Sequence, residues 1–214
     1  MAGKKKAVAS GGRQAAYAAR NRAALVRAGQ EVLAEVGPSS TIEQLASHAQ
    51  VSPTTIYKYF ENKEALFEEA VYEAWGSWLM WASQQKAPGD HLDLILDTGR
   101  KLFWARKTHP FFAKMLHNVL EQDPFFIIKA DRGEGAEVFK RLAAAGLIKE
   151  ENFDQRYLLW TSMYAGLSRA VFFTEELSPA EADVAFGVGL SVWGISEAKI
   201  KKIMSRKLVL APAP

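Results

Sequence analysis

The sequence predicts an all-α protein. Of its 214 residues, 49% are hydrophobic, and the apolar side chains recur three and four positions apart, as in helices with one buried face. Helix starts carry strong capping signals, for example Ser-Pro-Ala-Glu at 178–181. No segment alternates apolar and polar residues over the length that a half-buried strand requires.

The chain begins with an arm and a helix. Residues 1–12 are rich in Lys, Ala, Ser and Gly, and this composition favours a disordered basic arm. A helix is predicted from Arg13 to Val36, where Gly37-Pro38 ends it.

Two short helices joined by a tight turn follow this first helix. Thr41 and Gln44 form a capping box, which starts the first short helix. Gln50-Val51 makes the turn. Ser52 caps the second short helix, and Pro53 stands at its first position, where the missing N–H costs nothing.

The second short helix has an apolar face and a face rich in hydroxyls and rings. Ile56 and Phe60 are four residues apart and share the buried side. Asn62 then caps a third helix, so that Lys63 lies in its first turn, where a phosphate is favoured. Exposed tyrosines on a short helix are unusual unless they contact something, and this chemistry suits a DNA groove. The residues expected to contact DNA are Thr41, Pro53, Thr54, Thr55, Tyr57, Lys58, Tyr59 and Lys63.

Positive charge gathers on the same part of the chain. Residues 1–60 contain eight Lys and Arg against three acids, a net charge of +5, whereas the whole chain carries +3. A basic segment beside a helix–turn–helix indicates attraction to nucleic acid, although basic N-termini also occur for solubility alone.

Residues 20–67 resemble the DNA-binding domain of the tetracycline-repressor (TetR) family, and the matching positions cover about a quarter of the chain. The matching residues are Arg22-Ala-Ala-Leu-Val-Arg-Ala-Gly, Val36-Gly37, Leu45-Ala46, Val51-Ser52, Thr55-Ile56-Tyr57, Tyr59-Phe60, Lys63-Glu64 and Leu66. The resemblance implies an all-helical, dimeric protein that usually represses transcription until a small molecule binds its C-terminal domain. It also implies that Thr55, Tyr57 and Tyr59 contact bases or backbone and that Lys63 grips a phosphate.

The sequence departs from the family pattern at two positions. Gln50 stands where the turn usually has glycine, so we expect a somewhat strained turn, because a left-handed conformation costs energy in any residue with a Cβ atom. Thr54 stands where members often have glycine or alanine, and this difference bears on which DNA sequence is read.

The resemblance divides the chain into a helix–turn–helix DNA-binding domain (13–67) and an effector-binding and dimerisation domain (68–203), followed by a tail (204–214). Helices are expected from Asn62 to about Gln85, then over about 91–107, 110–121 and 136–145, from 152 or 154 to about 173, and over 179–203. A loop is expected at 86–90.

The last two long helices are expected to pair with their copies in a second chain as a four-helix bundle. Both carry small residues four apart and are apolar over more of their circumference than a surface helix needs. Burial inside a single chain is the alternative. The residues expected in the dimer interface are Leu159, Met163, Gly166, Leu167, Ala170, Ala185, Val188, Gly189 and Val192.

The middle of the chain holds an excess of large rings, which indicates an effector cavity for a mostly apolar or aromatic small molecule. For any single ring, ordinary core packing is the competing interpretation. The residues expected to line the cavity are Trp78, Trp81, Phe103, Trp104, Phe112, Met115, Leu116, Trp160 and Tyr164.

Several other classes of protein are disfavoured. The chain has no cysteine, no His-Glu-x-x-His or Glu-x-x-His metal motif and no Gly-Lys-Ser/Thr phosphate loop, so we expect no metal, no cofactor and no catalytic residues. It has no signal-like segment and no apolar run of the roughly 20 residues that span a bilayer, which favours a cytoplasmic protein without membrane contact. A helical protein–protein interaction module and an all-α enzyme remain as alternatives.

Overall fold

A computed structural model of the chain describes residues 4–85, 89–123, 125, 129, 132–174 and 177–211. Secondary structure in these residues is helical, with no strand, so the all-α prediction is confirmed. The chain forms two compact units, an N-terminal unit, Met1–Val71, and a C-terminal unit, Tyr72–Pro214. Residues 1–3 of the expected arm, 86–88 of the expected loop and 212–214 of the expected tail lie outside the described residues.

The N-terminal unit contains α1 (Lys4–Glu35), α2 (Ile42–His48), α3 (Pro53–Tyr57) and the first turns of α4 (Lys63–Gln84). Helix α1 begins nine residues before the expected start at Arg13, in the segment expected to be a disordered arm. Extending an existing helix adds one hydrogen bond for each residue ordered and needs no new nucleus, which offsets the poor helix propensity of Gly11-Gly12.

The core of the N-terminal unit forms where α1 meets the start of α4. Gly29 of α1 allows a close approach, because a Cβ atom there would lie 2.4 Å from Leu66 Cδ2 and 3.2 Å from Ala70 Cβ. Leu45 of α2 and Ile56 of α3 are fully buried. The two short helices are therefore held by side chains from their inner faces, which leaves the outer face of α3 available.

The C-terminal unit continues α4 and adds further helices. They are α5 (His91–Arg100), a 3-10 turn (Lys101–Trp104), α6 (Ala105–Thr108), α7 (Pro110–Gln122), α8 (Glu134–Ala144), α9 (Phe153–Arg169) with a π-helical end (Ala170–Thr174), α10 (Pro179–Gly189), a 3-10 turn (Leu190–Trp193) and α11 (Glu197–Met204). Its largest fully buried side chains include Trp193, Phe103, Phe172 and Phe186.

Two helices that the sequence predicted as continuous are interrupted. The helix expected over 91–107 tightens into a 3-10 turn after Arg100. The helix expected over 179–203 stops before Gly194, whose φ of 69° reverses the chain, and Ser196 then caps α11 through a new side-chain hydrogen bond. A glycine that takes a left-handed conformation ends a helix even when the apolar pattern continues beyond it.

A buried ion-pair network joins α5 to α10 and to the chain after α11. The guanidinium of Arg100, 3% exposed, donates 2.7 Å hydrogen bonds from Nε and Nη2 to the two carboxylate oxygens of Asp183 and a 3.1 Å bond to Asp97. Arg206 donates to the other oxygen of Asp97 at 2.8 Å. Desolvation by burial is the largest single effect on Arg100, and it lowers the pKa of this side chain. The hydrogen bonds and the attraction to the charges of Asp183 and Asp97 together outweigh desolvation, so the pKa of Arg100 is raised. The network keeps buried charges paired, and so supports the helices behind the central cavity.

Candidate DNA-binding surface and ligand cavity

The turn between α2 and α3 has the geometry that the sequence predicted. Thr41 and Gln44 form the capping box of α2, and the Oγ of Ser52 accepts a hydrogen bond from the backbone N–H of Thr55 to cap α3. Gln50 has a φ of 56°, so the expected left-handed, strained conformation is confirmed. The backbone N–H of Val51 donates to the carbonyl of Ala46 at 2.9 Å and closes the end of α2.

Helix α3 presents a polar outer face. Its inner residue Ile56 is fully buried, and Phe60 in the following turn is 5% exposed. On the outer side, Thr54 and Lys58 are exposed, and Tyr57 is 54% exposed, which is rare for an aromatic ring without a partner. The ring, the hydroxyl and the ammonium group together offer DNA one flat apolar surface and several hydrogen-bond donors.

Other residues expected to contact DNA are partly engaged within the protein. The Oγ1 of Thr55 lies 2.9 Å from the Oγ of Ser52, so this hydroxyl supports the cap of α3. Thr41 is exposed but serves as the cap of α2, and Pro53 is half-buried at the start of α3. These residues fix the position of the outer face, and their remaining surface lies beside it.

Tyr59 is held by a residue that sequence reasoning did not select. The Nδ2 group of Asn21, on α1, donates a 3.0 Å hydrogen bond to the phenolic oxygen of Tyr59. Since that oxygen accepts a hydrogen bond from Asn21, the O–H proton of Tyr59 can point toward an outside acceptor such as a phosphate oxygen. One residue further on α1, Arg22 packs 4.4 Å over the Phe60 ring and forms an ion pair with Glu69.

Lys63 combines an internal contact with a remaining donor. Its Nζ atom donates hydrogen bonds to the carbonyl oxygens of Pro38, at 3.1 Å, and Ser40, at 2.7 Å, and so ties the α1–α2 loop to the first turn of α4. The side chain is 20% exposed. An ammonium group has three N–H donors, so these two bonds leave a third, and the carboxylate of Glu64 lies 3.7 Å from the Nζ atom.

The C-terminal unit contains a partly open cavity of about 560 Å³, a volume typical of small-molecule sites. Its lining comes from α4, α5, α8, α9 and α10. The aromatic lining residues are Tyr72, Trp75, Trp78, Phe139, Tyr157, Trp160, Tyr164 and Phe186. Such a lining favours flat apolar ligands.

Three of the nine residues that the sequence predicted for the cavity, Trp78, Trp160 and Tyr164, are among its lining residues. The other six are not, because they fill the packing behind and beside it. Phe112, for example, stacks on Trp78 with ring centres 5.8 Å apart, and Phe103 packs between Tyr164 and Phe186. The residues outside the lining are Trp81, Phe103, Trp104, Phe112, Met115 and Leu116.

The cavity also has lining residues that sequence reasoning missed. Helix α5 contributes His91, Leu94 and Thr98, and α8 contributes Glu134 and Val138. The amphipathic pattern of α5 was the sequence signal that could have placed this helix beside the cavity. The sequence prediction selected large rings, and none of these side chains is one. More than half of the lining residues carry no large ring, so a search for rings alone could not find them.

Most hydroxyl groups in the lining donate to the protein itself. The Tyr164 hydroxyl donates to the carbonyl of Gly99 at 2.8 Å, and burial raises the pKa of Tyr164 well above its usual value, so it stays a neutral hydroxyl. Thr98 donates to the carbonyl of Leu94, and Thr161 donates to that of Tyr157, both at 2.9 Å.

The faces of α9 and α10 that point away from the core carry large apolar side chains. Leu158 and Leu159 on α9 are 64% and 61% exposed, and Val184 and Val188 on α10 are 68% and 71% exposed. Gly189 packs inside the chain, since a Cβ atom there would overlap Met163, whereas Gly166 faces open space. Of the remaining expected interface residues, those half-buried are Met163, Leu167, Ala170, Ala185 and Val192.

Two kinds of feature are absent from the described part of the chain. No three His, Asp or Glu side chains in it gather as a metal ion requires. No helix there has both the length and the hydrophobicity needed to cross a bilayer.

Comparison with known proteins finds a family match in the N-terminal unit. Residues 25–70, which contain α2, α3 and their supports, match the family described as bacterial regulatory proteins, tetR family. No curated protein sequence matches the chain.

Several solved structures share the fold at low identity. The chain is similar to RolR in complex with resorcinol, with 19% identity, a TM-score of 0.63 and coverage of 91% of this chain and 97% of RolR. A TetR-family regulator from Rhodococcus sp. has 19% identity, a TM-score of 0.57 and coverage of 87% and 100%. The fatty acid degradation regulator FadR from Bacillus halodurans has 18% identity, a TM-score of 0.56 and coverage of 83% and 96%.

The family match covers the helix–turn–helix and its supports, and it favours a DNA-binding regulatory protein over the alternative of an all-α enzyme. The solved structures show that the fold is shared over most of the chain.

Proposed function

We propose that this protein is a repressor that binds a palindromic operator as a homodimer in the cytoplasm and is controlled by a small, mostly apolar or aromatic effector. The observation that carries the proposal is the outer face of α3, where Tyr57 is 54% exposed beside Thr54 and Lys58. A ring of this size on a five-residue helix has no role in the core, so its exposure supports a contact with DNA.

The proposed DNA contacts divide into two groups. Thr54, Tyr57 and Lys58 form the outer face and would enter the major groove, where side chains can distinguish bases. Tyr59 keeps its O–H donor after its internal bond. Lys63 keeps a third N–H after its two carbonyl bonds, and a phosphate would compete for it with the nearby Glu64. Both residues would bind phosphates, which position the protein without reading the sequence.

The proposed dimer uses the exposed apolar faces of α9 and α10. Leu159 and Val188 are each more than half exposed, and a surface of this kind on two neighbouring helices favours burial against a partner. A two-fold axis would give each dimer two α3 helices, set to read half-sites about 34–36 Å apart, one turn of DNA.

The proposed effector site is the cavity of the C-terminal unit. RolR was solved with resorcinol, a small aromatic compound, and the eight rings around the cavity of this chain suit a ligand of similar chemistry. Helix α4 carries both Lys63 and the lining residues Trp75 and Trp78. A ligand that prefers one arrangement of α4 would change DNA affinity, and a coupling of about 1–3 kcal/mol corresponds to about 5–150-fold.

Selection of bound fragments from random duplex DNA tests this function. We expect an enriched site with two-fold symmetry, and binding that weakens steeply as salt rises. Absence of any enriched duplex at low salt would contradict the proposed operator binding.

Val188→Asp, which places a charge on the exposed face of α10, should shift the protein to monomers in sedimentation, and Glu150→Gln on an exposed loop is its control.

A further inference from the structure

We propose that the part of α1 before Asn21 is a second DNA-binding element, which lies against phosphates that flank the half-site read by α3. The side of this segment that carries Arg13, Gln14, Tyr17 and Arg20 is termed the arm face. The inference rests on the proposed function, because α3 must first place the protein on DNA, and it adds a surface that the proposed contacts of α3 and α4 do not use.

The N-terminal segment carries positive charge without any acid. Residues 1–30 contain seven Lys and Arg and no Asp or Glu. The first acidic residue of the chain is Glu31, whose Oε2 atom lies 2.8 Å from Nε2 of His48 on α2. No carboxylate within the segment offsets its charge, and such a segment attracts the phosphates of a nearby duplex.

Helix α1 is exposed on every side before it reaches the core. All nine residues from Gly12 to Arg20 are exposed, although the stretch is helical. The buried face of α1 starts only with Leu25 and Val26. A helix that served the core alone would bury one face along its length, so packing in the core does not account for this segment.

The polar residues of the segment gather on one side. At about 100° per residue, positions 13, 14, 17 and 20 fall within an arc of about 120° that also contains Asn21. Tyr17 is 59% exposed, and the other four residues between Gln14 and Arg20 are alanines. The arm face therefore offers two guanidinium groups, an amide and a phenol together. Guanidinium groups bind phosphate oxygens through paired N–H donors.

The arm face continues the surface proposed to bind DNA. Asn21 lies on the same side of α1, and its Nδ2 group donates a 3.0 Å hydrogen bond to the phenolic oxygen of Tyr59. Residues 4–20 extend beyond this contact for about 25 Å, at about 1.5 Å per residue. Because Tyr59 is a proposed phosphate contact, a duplex that reaches Tyr59 leads on to the arm face. Duplex DNA carries a phosphate charge about every 1.7 Å, so several phosphates fall within the length of the segment.

Two duplexes test where the arm face binds. Both contain the symmetric site found by selection. The trimmed duplex ends at this site, and the extended duplex adds about 10 base pairs of random sequence on each side, which exceeds the length of the segment at about 3.4 Å per base pair. Random flanks are suitable because phosphate contacts carry no sequence information. Fluorescence anisotropy with the full-length protein at low salt should show the extended duplex binding at least about 5-fold more tightly.

The double variant Arg13→Gln/Arg20→Gln removes both charges of the arm face. It should lose most of the gain from the flanks and keep its affinity for the trimmed duplex within about 2-fold. Its salt dependence on the extended duplex should fall by about 1.8 per half-site, since each phosphate contact contributes about 0.9. Lys201→Gln/Lys202→Gln removes two charges from the exposed side of α11, and this matched control should behave as the native protein does.

Four results would overturn the proposal. The first is native affinity and salt dependence in the arm variant, and the second is the same change in the α11 control. The third is an equal loss on both duplexes, because the two arginines would then act within the half-site. The fourth is a fall in the free energy of unfolding of the arm variant in urea, since exposed residues that only bind DNA should leave stability unchanged.

Failure of this proposal is distinct from failure of the proposed function. If selection enriches a symmetric site but the arm variant binds it as the native protein does, the role of α3 stands and only the arm face is overturned. If selection enriches no duplex, the proposed function is overturned and the arm face with it.

Discussion

Lys63→Met separates the two roles that the structure gives to Lys63. The substitution keeps the length and the apolar stem of the side chain but removes the charge and every N–H donor. The native Nζ atom bonds to Pro38 O and Ser40 O at 3.1 and 2.7 Å, so the variant loses the tie to the α1–α2 loop together with the proposed phosphate contact.

The two losses have different magnitudes and different signatures. One phosphate contact contributes about 0.9 to the steepness with which the logarithm of the DNA-association constant falls against the logarithm of the salt concentration. A fourfold rise in salt concentration would therefore weaken DNA binding by the native protein about 3.5-fold more per half-site than binding by the variant. The loop tie is a pair of charge-assisted hydrogen bonds, and we expect its loss to destabilise the protein by about 2 kcal/mol, because the side chain is only 20% exposed.

Fluorescence anisotropy with a labelled duplex, measured at several salt concentrations, gives the slope, and urea unfolding of the same samples gives the stability. Lys63→Arg keeps charge and donors and should retain most of the slope. Lys202→Met, on the exposed side of α11, is the control for loss of a surface charge. A native salt slope in Lys63→Met, with reduced stability, would show that Lys63 acts only on the loop and would refute the phosphate contact.

Three further substitutions test individual contacts. Tyr57→Phe should weaken operator binding about 5–10-fold by anisotropy without changing thermal unfolding, since it removes one hydroxyl contact; undiminished affinity would take Tyr57 out of the interface. Asn21→Ala should weaken DNA binding about 3–5-fold in the native protein but add nothing in a Tyr59→Phe background, and additive losses would contradict the role of the Asn21–Tyr59 bond. Arg100→Met should lower the free energy of unfolding by about 3 kcal/mol in urea, because Asp183 loses its bidentate partner in the interior, and a loss under 1 kcal/mol would argue against that pairing.

The helix–turn–helix was predictable because its information is local. The caps at Thr41 and Ser52 and the proline at position 53 act within three residues, and each appears in the structure as a hydrogen bond or a dihedral angle. The left-handed conformation of Gln50 is local information as well, because it belongs to the tight turn between α2 and α3. The Asn21–Tyr59 bond, by contrast, joins residues 38 apart, and no local pattern contains it.

The cavity shows why an excess of rings predicts a site better than it predicts the residues of the site. A large ring stabilises a protein equally well against a ligand or against another ring, so Phe112 stacked on Trp78 and Trp160 facing the void have the same sequence signature. What distinguishes the wall is the set of smaller groups between the rings. Glu134 is an exposed lining residue, and Thr98 is a half-buried one whose hydroxyl donates to Leu94 O within its own helix. Helices α5 and α8 therefore carry small lining residues where the sequence prediction, guided by rings, placed none, whereas the buried charged residues of α5, Asp97 and Arg100, belong to the ion-pair network and not to the wall.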